Sequence, residues 1–298
     1  MFYLENLIYL LAIGEILYEG KNIMLFTDLE NFIKEDLGYH DVSCNLIPDH
    51  NAAAEIITKE DGVVAGMSEA LQIFDYFNIQ TATDLIDGSL VRKNDVIFTL
   101  EGSARSILRA ERLSLNFLGR MSGIATLTRL FVDRAGKAKI AGTRKTTPGF
   151  REFEKKAIIT GGGDPHRFNL SDAVMIKDNH IAVLGLEKAV EAAKKNASFT
   201  QKIEIEVEDQ DSALHAAEMN VDIIMFDNMT PQGIKNAIDM LIENGLRDNV
   251  LLEASGGISL ENVSEYAGAG VDIISIGALT HSSKWLDLSL RMTQKSDN

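Results

Sequence analysis

The chain has 298 residues, 45% of them apolar, and a single cysteine, Cys44. That is enough chain for two domains, or for a barrel with an addition, and it excludes an intramolecular disulfide and a Cys-rich zinc cluster. A net charge of −15 argues against nucleic acid, an anionic membrane or any other extended polyanion as partner, so an anion site must be local.

Residues 1–23 carry the apolar run Leu7 to Ile13 between Glu5 and Glu15, too short to span a bilayer and without the basic start of a signal peptide. This extension is expected to be an extra helix or an upstream start, with Met24 as the alternative first residue. Helical spacing from Leu25 to Leu37, stopped by Gly38, predicts the first helix. Short β-rich runs at Ala54–Ile57, Gly62–Ala65, Ser89–Val91 and Asp95–Leu100, with a helix at Ser68–Tyr76, predict an α+β unit. Cys44 is expected to be a small buried or half-buried residue in a protein of the reducing cytosol.

Ala104 to about Arg134 has no proline and predicts a long helix or two abutting ones. At about 100° per residue, Arg105, Arg109, Arg112, Asn116 and Arg120 fall on one stripe, which is either a solvated face or a cationic one. After Lys137 the pattern becomes strand then helix. Strands are predicted at Ala138–Ala141, Ala173–Ile176, Lys202–Val207, Ile223–Phe226, Val250–Glu253 and Asp272–Ile276, with helices at Leu186–Lys195, Asp211–Met219, Pro231–Glu243 and Leu260–Ala267. Thr230 and Ser259 stand at expected N-caps. Six βα units are fewer than the eight of a closed barrel. The expected fold is therefore α/β: an N-terminal α/β sandwich (24–134 plus 284–298, with Trp285–Met292 as a last helix) and an incomplete parallel α/β barrel (135–283).

Each predicted barrel strand ends on a polar or glycine-rich set, and parallel barrel strands share one mouth at their carboxyl ends. The turns Ser255-Gly256-Gly257 and Ser275-Ile276-Gly277 are either tight turns or a phosphate site in which backbone amides and helix dipoles act together. In Glu204-Ile205-Glu206-Val207-Glu208, alternation puts the three carboxylates on one face, either the lumen or the helix layer, and therefore near the mouth. Glu206 and Asp227 suit a magnesium ion shared with phosphates, a ribose diol, or simple solvation. Thr143-Arg144-Lys145, Arg167, Lys177 and Arg112 supply cations for carboxylate and phosphate. His166 and His180 can serve in hydrogen bonding or acid–base work, or be structural.

The segments Gly142–Gly149, Gly161-Gly162-Gly163 with His166-Arg167, Ile176–His180, Phe226–Met229 and Leu252–Ile258 closely resemble the quinolinate phosphoribosyltransferase family, over about Glu35 to Met292. The resemblance implies a type II phosphoribosyltransferase fold and a cytoplasmic enzyme, active as at least a homodimer. It also implies transfer of phosphoribose from phosphoribosyl pyrophosphate to quinolinate, with magnesium and loss of CO2. It places Arg144, His166 and Arg167 around the quinolinate carboxylates and Lys145 and Lys177 toward substrate and phosphates, with Thr143 also among the substrate-binding residues. Glu206 and Asp227 lie near ribose and metal, the two glycine turns on phosphate, and Arg112 at the neighbouring subunit's site; Lys145, Glu206 and Asp227 form the catalytic set. Gly142 departs from the Asp of many members. Two rivals share the scaffold: a protein associated with molybdenum-transport operons, and a catalytically silent anion-binding protein.

Overall fold

The structure, a computed structural model, describes residues 24–39 and 41–293; the predicted N-terminal extension lies outside them. The chain divides into two compact units, one running to Ser122 and resuming at Trp285, the other Gly123–Lys284.

The first unit opens with α1 (Phe26–Leu37), which buries Leu29 and Ile33 and ends at Gly38 with φ of 58°. Then come β1 (Asn51–Thr58), β2 (Gly62–Val63), α2 (Met67–Tyr76), β3 (Gln80–Ala82), β4 (Leu90–Val91), β5 (Val96–Ser103) and the long helix α3 (Ala104–Val132), within which the division falls. β1 and β5 pair antiparallel at the centre of a four-stranded sheet, flanked by β3 beside β5 and by the chain's last strand beside β1. Strand β12 (Leu288–Thr293) corrects the expected C-terminal helix: it pairs antiparallel with β1 from Ala53↔Thr293 to Thr58↔Leu288. Leu286, Leu288, Leu290 and Met292 alternate with polar residues, the period of a strand rather than of a helix. Phe74 and Phe98 meet edge to face at 5.5 Å in this core, and Cys44 is buried. The arginine stripe on α3 is partly structural, because Arg105 donates from Nε (3.0 Å) and Nη2 (2.8 Å) to the Ile47 carbonyl and Arg109 stands 3.9 Å from Asp41.

The second unit contains β6 (Lys139–Ala141), α4 (Arg151–Thr160), β7 (Val174–Ile176), α5 (Asp178–Leu184), α6 (Leu186–Asn196), β8 (Ile203–Val207), α7 (Gln210–Glu218), β9 (Ile223–Asp227), α8 (Pro231–Glu243), β10 (Leu251–Ser255), α9 (Val263–Gly268), β11 (Ile273–Ser275) and α10 (Ala278–His281). The six strands form one parallel sheet in the order β6-β11-β10-β9-β8-β7. Beyond β6 the sheet continues only as a single parallel bridge, Ala141↔Asp164, so irregular chain stands where further strands would close the barrel. Thr230 caps α8 by accepting from the Gly233 amide at 3.1 Å. The expected cap at Ser259 is not one: Asn262 accepts from the Ser259 amide (2.8 Å) and donates to the Gly257 carbonyl (3.1 Å), holding a turn that delays α9 to Val263.

Alternation along the strands sorts the residues. Ile205, Ile224, Phe226, Leu252, Ala254 and Ile274 are fully buried, on the strand faces opposite those of Glu206, Asp227, Ser255 and Ser275, which line the lumen. The register brings Asp227 level with Ser255, and Ser255 level with Ser275. One end of the lumen thereby collects the polar ends of neighbouring strands.

Candidate active site

That end is a cleft of about 340 Å³. Its cationic wall carries Thr143, Arg144 and Lys145 from the loop after β6, His166 and Arg167 from the loop after α4, and Lys177 at the end of β7. The cleft is also lined by Glu206 from β8, Asp227 from β9, Ser255 from β10 and Ser275 from β11, with Met175 and Met225 as apolar lining. Two buried polar atoms here have no hydrogen-bond partner: Arg144 Nε and Ser275 Oγ. A buried donor without a partner costs free energy comparable to a lost hydrogen bond, which an anion bound in the cleft would recover.

The remaining expected positions stand differently. Ile276 is buried, and its amide donates to the Ala141 carbonyl at 2.9 Å, so it is committed to the sheet. Gly277 lies against the Lys145 side chain, where an added Cβ would come within 3.1 Å of its Cδ. Gly256 (φ 90°) and Gly257 (φ 61°) take conformations that favour glycine, and Gly256 allows Asn228 to approach. Neither turn leads straight into a long helix, since α9 starts at Val263 and α10 has four residues, so helix-dipole assistance is smaller than expected. His180 stays out of the cleft and is exposed; its Nδ1 accepts from the Lys177 amide at 2.9 Å. Arg112 is exposed on the part of α3 that belongs to the first unit. Gly142, the departure from the family pattern, suits its place because a Cβ there would meet Ile158 Cδ1 at 2.6 Å.

Lys177 Nζ is ion-paired with Glu206 Oε1, and Asn228 donates to Asp227 Oδ2 at 2.9 Å. Glu204 is not at the mouth as expected. It is buried deeper in the lumen beside Glu253, and His166 Nε2 faces both, at 3.3 Å from Glu253 and 3.8 Å from Glu204. Burial, then the neighbouring Glu253, pushes the Glu204 carboxyl up to about 8, since two carboxylates this deep cannot both ionise cheaply. Burial lowers the affinity of His166 for its proton, but Glu253 and Glu204 outweigh it and the net shift is upward. His166 Nδ1 accepts from the Arg167 amide at 2.8 Å, which directs Nε2 to the carboxylates. His166 and Arg167 also line a cavity of about 550 Å³ toward the strand starts, so this cluster partitions the lumen. Glu253 was missed in the sequence, although its place two residues before Ser255 in an alternating strand puts it on the lumen face.

Family models described as quinolinate phosphoribosyl transferase, N-terminal and C-terminal domains, match residues 41–122 and 124–291. The chain is 45% identical over 271 residues to a probable nicotinate-nucleotide pyrophosphorylase [carboxylating] of Methanothermobacter thermautotrophicus, covering 89% of this chain and 97% of that one. It is 39% identical over 247 residues to the human nicotinate-nucleotide pyrophosphorylase [carboxylating], covering 81% and 82%. Among solved structures it is similar to NadC from Streptococcus pyogenes, with a TM-score of 0.86 and 39% identity over 92% of this chain and 99% of that one.

Proposed function

The chain belongs to the quinolinate phosphoribosyltransferase family, and on that premise we propose how its barrel mouth carries the family's reaction. The reaction is a pentosyl transfer in NAD biosynthesis: quinolinate and phosphoribosyl pyrophosphate give nicotinate mononucleotide, pyrophosphate and CO2. The two rival assignments are not favoured, because the curated relatives carry the carboxylating pyrophosphorylase name.

The observation that carries the assignment of roles is that Arg144, Lys145, Arg167 and Lys177 share one cleft with Glu206 and Asp227. Quinolinate is a dianion, and the two guanidinium groups can each fork a carboxylate. Lys145 faces the leaving pyrophosphate as a compact charge, while Ser255, Gly256, Gly257, Ser275 and Gly277 cradle the ribose phosphate. Glu206 and Asp227 stabilise positive charge that develops on the ribose as the C1′–oxygen bond to pyrophosphate breaks and the bond to the pyridine nitrogen forms. The pyridinium nitrogen then accepts the electron pair left when the adjacent carboxylate departs as CO2, and a proton from solvent fills the vacated carbon.

Hard carboxylate oxygens facing the cleft suit magnesium. Since Lys177 already occupies Glu206, Asp227 is the better placed ligand, with Glu206 second and the substrate phosphates supplying the rest. The ion would neutralise charge on departing pyrophosphate. The resemblance also motivates a cytoplasmic homodimer in which Arg112 serves the partner's cleft. Among the described residues no helix is long and apolar enough to cross a membrane.

Purified protein should release CO2 and pyrophosphate from quinolinate only when phosphoribosyl pyrophosphate and magnesium are both present. Absence of product at saturating substrates would overturn the assignment; full activity in excess chelator would remove magnesium from it.

A further inference from the structure

Helix α4 carries five charged residues that the reaction does not use, and three of them reach the loops that it does use. Arg151 Nε donates to Thr146 Oγ1 at 2.9 Å, and its Nη1 donates to the Phe168 carbonyl at 3.2 Å. Glu154 accepts from the Thr147 amide and the Thr147 hydroxyl, each at 3.0 Å. Lys155 donates from Nζ to the Pro165 carbonyl and, at 3.0 Å, to the Arg167 carbonyl, and stands 5.7 Å from the Phe168 ring centroid. Glu154 and Lys155 are both fully buried.

Neighbouring helical residues point about 100° apart, so adjacent buried charges cannot serve the same partner. Here each takes one loop. Glu154 holds the loop that presents Arg144 and Lys145, Lys155 holds the loop that presents His166 and Arg167, and Arg151 spans the two. Taking an ion out of water costs several kcal/mol unless hydrogen bonds replace its hydration, and an apolar residue would fill the space at lower cost. Burial, helped by the neighbouring Arg151 cation, pulls the Lys155 ammonium down to about 8. The loop it holds is itself constrained: His166 has φ of 56°, a left-handed conformation rare for a side-chain-bearing residue, and its amide donates to Asp164 Oδ1 at 2.8 Å. Lys155 accepts no other described task; its two carbonyl partners flank this residue on either side.

We propose that Arg151, Glu154 and Lys155 are positioning residues that set the separation of Arg144 and Arg167, and through it the preference of the cleft for two adjacent carboxylates over one. The proposal rests on the assignment of the cleft to quinolinate. A helix with two buried opposite charges acts as a rigid spacer between the two guanidinium-bearing loops, and a dicarboxylate feels a change of spacing that a monocarboxylate does not.

The test is steady-state kinetics with calorimetric quinolinate binding on Lys155→Met, Lys155→Arg and Arg151→Ala, alongside thermal melts. Lys155→Met should raise the KM and the dissociation constant for quinolinate at least tenfold while the KM for phosphoribosyl pyrophosphate stays within twofold, and Lys155→Arg should recover part of the loss. Arg151→Ala, at a half-buried position, should shift the same constant in the same direction by severalfold without loss of folding, and it decides the matter if Lys155→Met does not fold. Equal weakening of both substrates, or quinolinate binding within twofold of wild type in Arg151→Ala, overturns the proposal. A wild type that binds no quinolinate overturns instead the assignment on which it rests.

Discussion

Gly256→Ala should damage stability and phosphate binding together. An added Cβ at Gly256 would lie 2.2 Å from Asn228 Oδ1, 2.6 Å from its Cγ and 2.9 Å from its backbone nitrogen. Asn228 cannot yield freely, because its amide donates to the Ser255 carbonyl at 2.9 Å and its side chain donates to Asp227. A φ of 90° adds backbone strain of about 1–2 kcal/mol for a residue with a Cβ. Forced overpacking adds about 1–3 kcal/mol, for a total of about 2–5 kcal/mol. Gly257 provides the control: its φ is 61° and nothing lies within 4 Å of an added Cβ, so Gly257→Ala should cost only the strain, about 1 kcal/mol. With roughly 2–4 °C of melting temperature per kcal/mol for a unit of this size, Gly256→Ala should melt roughly 4–20 °C lower and Gly257→Ala roughly 2–4 °C lower. Because relief of the clash takes the Asn228 amide away from Asp227, Gly256→Ala should also raise the KM for phosphoribosyl pyrophosphate more than that for quinolinate. Calorimetric melting and initial-rate kinetics check both. If the two variants melt within 2 °C of each other, the Asn228 contact is not the cause and the reasoning fails.

Glu204→Gln tests the buried carboxyl pair. The Glu204 carboxyl is raised from the usual 4.5 to about 8 by burial and Glu253, so an unfolded chain releases that proton first. The stability associated with it is present below about 4.5 and is lost, at up to about 1.4 kcal/mol per pH unit, as pH rises toward 8. The melting advantage of Glu204→Gln over wild type should therefore grow between pH 5 and 8 and then level off; a difference independent of pH would refute the assignment. Lys177→Met should lower kcat by at least tenfold and leave the fold intact, since its ion pair with Glu206 is partly exposed; unchanged turnover would remove Lys177 from the cleft's working set. Arg112→Ala and Lys145→Ala, each inactive alone, should regain partial activity when mixed if Arg112 serves a neighbouring subunit. Failure to complement despite confirmed subunit exchange would refute the shared site.

The six barrel strands were readable because each is a short apolar run stopped by a charged or glycine-rich set, which is how a strand end at a polar mouth must look. Thr143, Arg144, Lys145, Lys177, Glu206 and Asp227 were readable for the same reason. The last strand was not, because Trp285 and Leu286 lead into it as a helix could, and only the strict alternation from Leu286 to Met292 discriminates. Glu204 shares a face with Glu206 as alternation requires, but lies deeper than the mouth: period two groups residues by side and does not say which side is the lumen or how far each lies from the strand end. The burial of Lys155 is not legible in the sequence, because a lysine on a helix usually points to water and its partners are carbonyls ten and twelve residues further on. His166 was recognised as a site residue, but its carboxylate partners come from β8 and β10, a pairing that depends on the curvature of the sheet.

The lumen and the outer face of each barrel strand are separate inheritances. In β9, Ile224 and Phe226 are fully buried on one side, while Met225 and Asp227 line the cleft on the other. The first pair belongs to the packed face and the second to the cleft, so substitutions at neighbouring positions of one strand should act on different properties, stability at one and ligand binding at the next. The lumen face can therefore be altered residue by residue while the apolar face opposite, with Ile224 and Phe226, keeps its packing.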